Sequence, residues 1–283
     1  MKVDRIEEYG QSVLQHGAEN DRVYLMKLQG EDLPEVLDYI DELVEENDYS
    51  KVFVKIPVTR KEAFVEAGYR VEAQVPNFYN GTTAGLFMAR YPDPDRRIDP
   101  DAELVQEVLR AAQAKAGSAE EAAAAVAPEF ECRLTRPEDG EAMAELYRQV
   151  FQSYPFPIHD PEYLRQTMRE NVVYAGVWKQ GRLVALASAE MDRAAGNAEM
   201  TDFATNPDDR GQGLAHVLLH KLEQLVAEKG IQTCYTIARA TSFGMNITFA
   251  KSGYRFAGTL VRNTQISGGL ESMNVWYKPT GIS

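Results

Sequence analysis

The chain has 283 residues and carries 43 acidic against 30 basic side chains, a formal net charge of −13. With 44% apolar and 26% charged residues it has the composition of a globular protein with a sizeable core, and a disordered or fibrous chain is excluded. The acidic balance, with no basic stripe, argues against a nucleic-acid partner and is compatible with a cationic substrate.

The first residues, MKVDRIEEYGQSVLQHG, lack the apolar segment of a signal peptide. No window approaches the ~18 apolar residues of a membrane span. Cys132 and Cys234 stand far apart, in no metal-like pair. A cytoplasmic protein with reduced thiols and no membrane contact is expected.

VYLMKL (23–28) reads as a strand. Leu33, Val36, Leu37, Ile40, Leu43 and Val44 recur at helical spacing and predict a helix over 33–46. KVFVKI (51–56) alternates as a strand does and stops at Pro57. A short helix ending in AGYR, with Gly68 as its C-cap, precedes strands near 70–76 and 84–91. Residues 92–128 turn proline- and charge-rich, then alanine-rich. They read as a linker with one or two helices, dividing the chain into domains 1–95 and 129–283 around a linker 96–128.

Beyond the linker, FECRLT (130–135) predicts a strand and EDGEAMAELYRQVF (138–151) a helix. QSYPFPIHDP is a proline-broken loop, and a helix restarts over 161–169. VVYAGVWK, RLVALASAEMD and NAEMTDFAT read as three strands joined by turns at QG and AAG. RGQGLA (210–215) then runs into a helix over 212–228 that ends near Gly230. The strand TCYTIAR, a helix ending in SGYR and two further strands complete the order.

The chain repeats itself. FVEAGYRVEA (64–73) matches FAKSGYRFAG (249–258), and Met88 and Met273 each stand twenty residues after the glycine of GYR. The first copy has no RGQGLA; its corresponding turn, LQGEDLPEV, has one glycine and acids. The repeat allows the two halves to pack within one chain or across a homodimer.

The glycine turn carries the clearest chemistry. At a helix start several backbone N–H groups lack partners, and the helix dipole adds partial positive charge. Glycines let that backbone approach a ligand, so residues 210–215 suit a phosphate or pyrophosphate whatever the net charge of the chain. The turn lacks the third glycine of the dinucleotide fingerprint and the GK[ST] ending of a P-loop. His216 and His220 lie one helical turn apart, without a HExxH glutamate or an obvious third ligand, so no metal is expected.

RGQGLA, with Arg210, Gly213 and Ala215 at the R/Q-x-x-G-x-G/A positions, resembles the signature of the GCN5-related N-acetyltransferases (GNAT). EMTDFAT before it, and Asn246, Phe249 and Gly253–Tyr254 after it, fall where that family has its fourth strand and its asparagine-bearing helix. The resemblance covers roughly residues 130–279. SYPFPIHDPEYL, YTIARATSFGMN, ESMNVWYK and the N-terminal FVKIP and FVEAGYRVEAQVPNFYNG are similar to the β-lysine N-acetyltransferases within that family.

The resemblance implies an α/β (α+β) fold: a mixed, mostly antiparallel sheet with flanking helices, preceded by a degenerate half of the same kind. The fourth and fifth strands of such a sheet splay apart to admit acetyl-CoA. It implies acetyl transfer to the side-chain amine of β-lysine, giving a compatible solute, with no metal.

The implied acid is Asp202 foremost or Glu199, although strand alternation points them to opposite faces unless a bulge intervenes. A backbone N–H near Phe203–Thr205 is the implied oxyanion donor. The implied acetyl-CoA contacts are Phe203, Ala204, Thr205, Arg210, Gly211, Gln212, Gly213, Leu214, Ala215, Asn246 and Phe249. Phe249 stands where the family has a tyrosine general acid, which leaves Tyr254, Tyr235 or water for that role.

For an amino-acid substrate Arg239 is the first choice for the carboxylate, because a planar fork matches it. Tyr154, Phe156, Glu271 and Asn274 are further substrate candidates. Another small amine (lysine, a polyamine, an aminoacyl group) and a catalytically silent acyl-CoA sensor are the alternative readings.

Overall fold

The computed structural model describes residues 4–118, 127–266 and 268–281. The first half comprises β1 (Arg5–Tyr9), β2 (Ser12–Gly17), β3 (Arg22–Lys27), α1 (Glu35–Asn47), β4 (Lys51–Pro57), α2 (Lys61–Glu66), β5 (Arg70–Tyr79) and β6 (Thr83–Arg90). The helix α3 (Ala102–Gln113) follows. The second half comprises β7 (Phe130–Leu134), α4 (Gly140–Val150), α5 (Pro161–Glu170), β8 (Val172–Lys179), β9 (Arg182–Asp192), β10 (Asn197–Thr205), α6 (Leu214–Glu228), β11 (Thr233–Arg239), α7 (Phe243–Lys251), β12 (Arg255–Ile266) and β13 (Gly269–Pro279).

The hairpin β1–β2 was not legible in the sequence. Arg5–Tyr9 is mostly exposed, and β2 buries polar Ser12, Gln15 and His16, so neither strand shows a clean apolar alternation. The alanine-rich run 119–126 lies outside the described residues. Among them, no helix is long and apolar enough to cross a membrane.

Among the described residues thirteen strands form one sheet, in the order β1-β2-β3-β4-β6-β5-β12-β13-β11-β10-β9-β8-β7. Every neighbouring pair is antiparallel except β3–β4 and β10–β11, which are parallel and connected through α1 and α6. The sequence repeat recurs in the backbone at one constant offset. The register shifts of β5–β6 between Val71 and Ala73 and between Val75 and Tyr79 reappear in β12–β13 between Phe256 and Gly258 and between Leu260 and Thr264. The pair Val54↔Met88 reappears as Arg239↔Met273.

The halves meet at β5 and β12 through Ala73↔Gly258, which are equivalent positions of the repeat, so a local two-fold axis passes between them. Buried charges cross the join. The Lys51 ammonium bonds Glu72 at 3.0 Å and the Val261 carbonyl at 2.7 Å, and Arg96 Nε donates to the Arg262 carbonyl at 3.0 Å.

The sheet curls around a core shared by both halves. Tyr24, Phe53, Val75, Phe78 and Phe87 pack there with Tyr235, Leu260, Met273 and Val275. The turn after β5 closes on the second half, where Asn80 N donates to the Ala195 carbonyl at 2.6 Å and Thr233 Oγ1 to the Asn77 carbonyl at 2.9 Å. β3 and β4 thereby face β10 and β11 across the curl. On the opposite side of the sheet, α3 adds Val105, Leu109 and Ala112 to the core under α6 and α7.

Candidate active site

β10 and β11 pair only through Asn197↔Thr233, Ala198↔Cys234 and Glu199↔Tyr235, although they run on to Thr205 and Arg239. Past Glu199 they part and leave a fork. Here β10 also breaks register with β9, between Thr201 and Ala204, and Asp202 takes a left-handed φ of 56°. Such a conformation costs about 1–2 kcal/mol for a residue with a Cβ. Hydroxyls hold it in place: Ser188 Oγ at 2.6 Å, Tyr154 OH at 2.5 Å and Thr201 Oγ1 at 3.4 Å all donate to the Asp202 carboxylate.

The bulge resolves the alternation problem. Glu199 stands opposite Glu190 and Thr201 opposite Ser188, so these four share a face. Asp202 accepts from Ser188 on that same face. Three carboxyls, Glu190, Glu199 and Asp202, therefore gather at the mouth of the fork on the concave side of the sheet.

Their electrostatics are coupled. Burial pushes the Glu199 carboxyl up to about 7, with Glu190 adding to the rise and Lys55 and the Tyr235 hydroxyl opposing it. Glu190 is exposed on β9, and the protein around its carboxyl still raises it, with Lys55 opposing. Asp202 is raised by burial while the hydroxyls of Ser188 and Tyr154 work against the rise. The cation beside this cluster, Lys55, comes from β4 of the first half. Its Nζ lies 3.1 Å from Tyr235 OH.

At the other end of β10 the chain turns into α6. Gly211 and Gly213 have φ of 79° and 74°, and Gly213 is the N-cap. Among the described residues the amides of Gly211 to Ala215 have no hydrogen-bond partner, while those of His216 and Val217 turn back to the Gly213 carbonyl. A Cβ at either glycine would meet nothing within 4 Å, so the turn faces open space. The entry to the turn is pinned: buried Asp209 is held by Lys179 at 3.0 Å, and Arg210 Nε donates to the Thr205 carbonyl at 3.3 Å. Free amides at a helix start, beside a fork in the sheet, fit the pyrophosphate and arm of acetyl-CoA.

Gly213→Val is therefore expected to weaken acetyl-CoA binding by about tenfold or more, since the new side chain fills the cradle and strains a left-handed backbone by about 1–2 kcal/mol. Titration calorimetry checks this, with circular dichroism to establish that the fold is retained.

Tyr154 reaches the acids through Asp202, and Phe156 packs in the core beneath α4 and α5. Phe203 and Phe249 meet edge to face at 5.5 Å, and Ala204 is buried against the α4 side. Asn246 is wholly buried, and its amide is fully used. It donates to the carbonyls of Arg239 and Ser242 and accepts from Asn274 and Trp276, so it ties α7 to β11 and β13. Asn274 belongs to that same buried network and also accepts from Thr259 Oγ1 at 2.8 Å.

Arg239 and Glu271, expected to contact substrate separately, bind each other. The guanidinium fork closes on the carboxylate at 2.9 and 2.6 Å, with Thr241 Oγ1 at 3.1 Å. Tyr254 packs against Phe249 beside Cys234 and Glu223, away from the acids, whereas the Tyr235 hydroxyl lies among them. His216 Nδ1 meets Ser252 Oγ at 3.0 Å. Among the described residues no cluster of three His, Cys, Asp or Glu side chains is arranged for a metal.

Lys55 and Glu190 were missed in the sequence. The register of β9 on β10 would have found Glu190, because QG and AAG fix the hairpins. Nothing local signals Lys55, which arrives through the curl of the whole sheet.

The model of the acetyltransferase (GNAT) family matches residues 140–254. A β-lysine N(6)-acetyltransferase of Methanococcus maripaludis is 37% identical over 98% of this chain and 99% of its own. The N-acetyltransferase YodP of Bacillus subtilis is 34% identical over 94% of this chain and 95% of its own. A β-lysine N(6)-acetyltransferase of Methanosarcina mazei is 33% identical over 81% of this chain and 90% of its own. With the forked, bulged sheet and the amide turn in place, and relatives this close along nearly the full length of both chains, the protein belongs to the GNAT family of acetyltransferases.

Proposed function

We propose that the protein transfers acetyl from acetyl-CoA to the side-chain amine of β-lysine. The observation that carries this reading is the set of three carboxyls, Glu190, Glu199 and Asp202, on one face at the mouth of the fork. β-Lysine offers two ammonium groups and one carboxylate, and an acidic cleft with a single nearby lysine complements that pattern. The names of two relatives, from Methanococcus maripaludis and Methanosarcina mazei, support the same substrate.

An alkyl ammonium has a pKa near ~10.4, so roughly one molecule in a few thousand is neutral at pH 7. Glu199 accepts the proton that frees the amine. Its carboxyl titrates at about 7, so it is largely ionised just above neutrality and is basic enough to take a proton. Asp202, with hydroxyls on both oxygens, keeps the bulge and Tyr154 in place. A backbone amide near Phe203–Thr205, on the edge of β10 turned away from β9, serves as the oxyanion donor.

Acetyl-CoA supplies the thioester: its carbonyl carbon forms the new bond to nitrogen, and the carbon–sulfur bond breaks as the thiol departs. Phe249 offers no proton at this point. An alkyl thiol such as that of cysteine has a pKa of about 8.5, so the thiolate leaves readily and receives, through water, the second proton that the attacking nitrogen loses as the amide forms.

CoA thiol release is measured with β-lysine, α-lysine and spermidine in parallel. Release with β-lysine well above the others is the expected result. Preference for spermidine or α-lysine overturns the substrate and keeps the chemistry. Acetyl-CoA binding with no release for any amine overturns the enzymatic reading in favour of a sensor.

A further inference from the structure

We propose that Lys55, contributed by the degenerate first half, receives the carboxylate of the amino-acid substrate, so that this half selects amino acids over simple amines. The inference rests on the acetyltransferase reading above and adds to it a function for residues 1–95.

Arg239, the guanidinium expected for this role, is closed on Glu271 by two hydrogen bonds, so its charge is already neutralised by a carboxylate. Lys55 is different. Among the described residues Lys55 is in no ion pair; its Nζ donates to Tyr235 OH at 3.1 Å, with Glu199 acting on it from beyond that hydroxyl. An ammonium has three donors, so two remain for a ligand. The side chain is half-buried and lies above the Tyr235 ring at 5.5 Å from the centroid. Tyr24 and Tyr79, also from the first half, complete this wall.

The position suits the substrate. Tyr235 is the strand partner of Glu199, and its hydroxyl stands between the Glu199 carboxyl and Lys55. In β-lysine six bonds separate the side-chain nitrogen from the carboxylate carbon, roughly 7 Å in an extended chain. With its amine at Glu199, the molecule reaches past one phenol hydroxyl and presents its carboxylate to Lys55. Glu190 remains for the second ammonium. A polyamine laid in the same cleft brings a cation to Lys55 and is repelled.

The test compares β-lysine with 1,4-diaminopentane, which is the same molecule without its carboxylate. Lys55→Met keeps the apolar stem and removes the charge. It is expected to raise KM for β-lysine by about 30-fold or more, the usual result of removing one partner of a desolvated charge pair, with kcat within a few-fold. Lys55 also holds the Glu199 carboxyl down, so the two substrates are compared at about pH 9, above the Glu199 limb, where the loss on 1,4-diaminopentane is expected to be much the smaller of the two. Lys55→Arg is expected to restore most of the β-lysine affinity.

An equal loss for both substrates overturns the proposal, because Lys55 then acts on Glu199 instead of on a carboxylate. If Lys55→Met does not fold, wild-type KM for β-lysine carboxamide gives the same reading: a KM unchanged from β-lysine overturns the proposal. Should α-lysine prove to be the substrate, the β-lysine reading fails alone, and Lys55 is tested with α-lysine against cadaverine. A wild-type enzyme that prefers the decarboxylated amines overturns the inference itself.

Discussion

Glu199→Gln is expected to lower kcat by about 10²- to 10⁴-fold, the usual contribution of a positioned general base, while KM for acetyl-CoA stays within a few-fold. The substitution preserves shape and removes the proton acceptor at the end of the parallel pairing. The pH profile makes the test specific. The Glu199 carboxyl is pushed up to about 7 by burial, so wild-type kcat should rise with pH through neutrality as the base ionises and fall away below it.

In the glutamine variant that limb disappears, leaving only the slower rise from ionisation of the amine itself. Asp202→Asn should also slow the reaction, because it disturbs the hydroxyls on the bulge, but the limb near 7 should persist. Steady-state CoA release from pH 5.5 to 9 on the three proteins decides the matter. If the limb survives in Glu199→Gln and vanishes in Asp202→Asn, Asp202 is the base.

Gly258→Ala should lower stability by about 2–5 kcal/mol, combining overpacking with backbone strain. The residue has φ of 150°, and a Cβ there would stand 2.0 Å from the Glu72 carbonyl oxygen and 2.7 Å from the Ala73 Cα. Both neighbours are backbone of β5, so no side-chain rotation relieves the contact. For a chain of this size the expected fall in Tm is about 5–15 °C, read by calorimetry. Ala73→Gly, at the equivalent position of the repeat, meets no such wall and should cost only about 1 kcal/mol of strand entropy. Equal effects at the two sites would show that the join does not depend on close approach at position 258.

Much of this was legible in residue order because local rules govern it. The hairpins of the second half follow from alternation broken by QG and AAG, and Gln180 and Gly181 duly take φ of 51° and 80°. The anion turn follows from glycines at a helix start. The repeat was visible in FVEAGYRVEA and FAKSGYRFAG, and it extends into shared register shifts. The bulge at Asp202 was not legible, since its left-handed backbone depends on hydroxyls from Tyr154 and Ser188, far away in sequence.

The same holds for Arg239 and Glu271. Each suits a charged substrate when read alone, and only the register of β11 on β13 reveals that they neutralise each other. Lys55 is the extreme case. Its place beside Tyr235 depends on how far a thirteen-stranded sheet bends, which no local pattern encodes.

The axis between Ala73 and Gly258 has a consequence for how such a site can diversify. In a symmetric pair of identical chains, any change that improves one wall of a cleft is imposed on its twin, where the same residue faces a different task. Covalent fusion removes that constraint. One copy keeps the glycine turn and the forked strands, and the other is free to change the residues it turns across the curl, Lys55 and Tyr24 among them. Substrate preference in chains of this architecture should therefore drift fastest in the half that holds no acetyl donor.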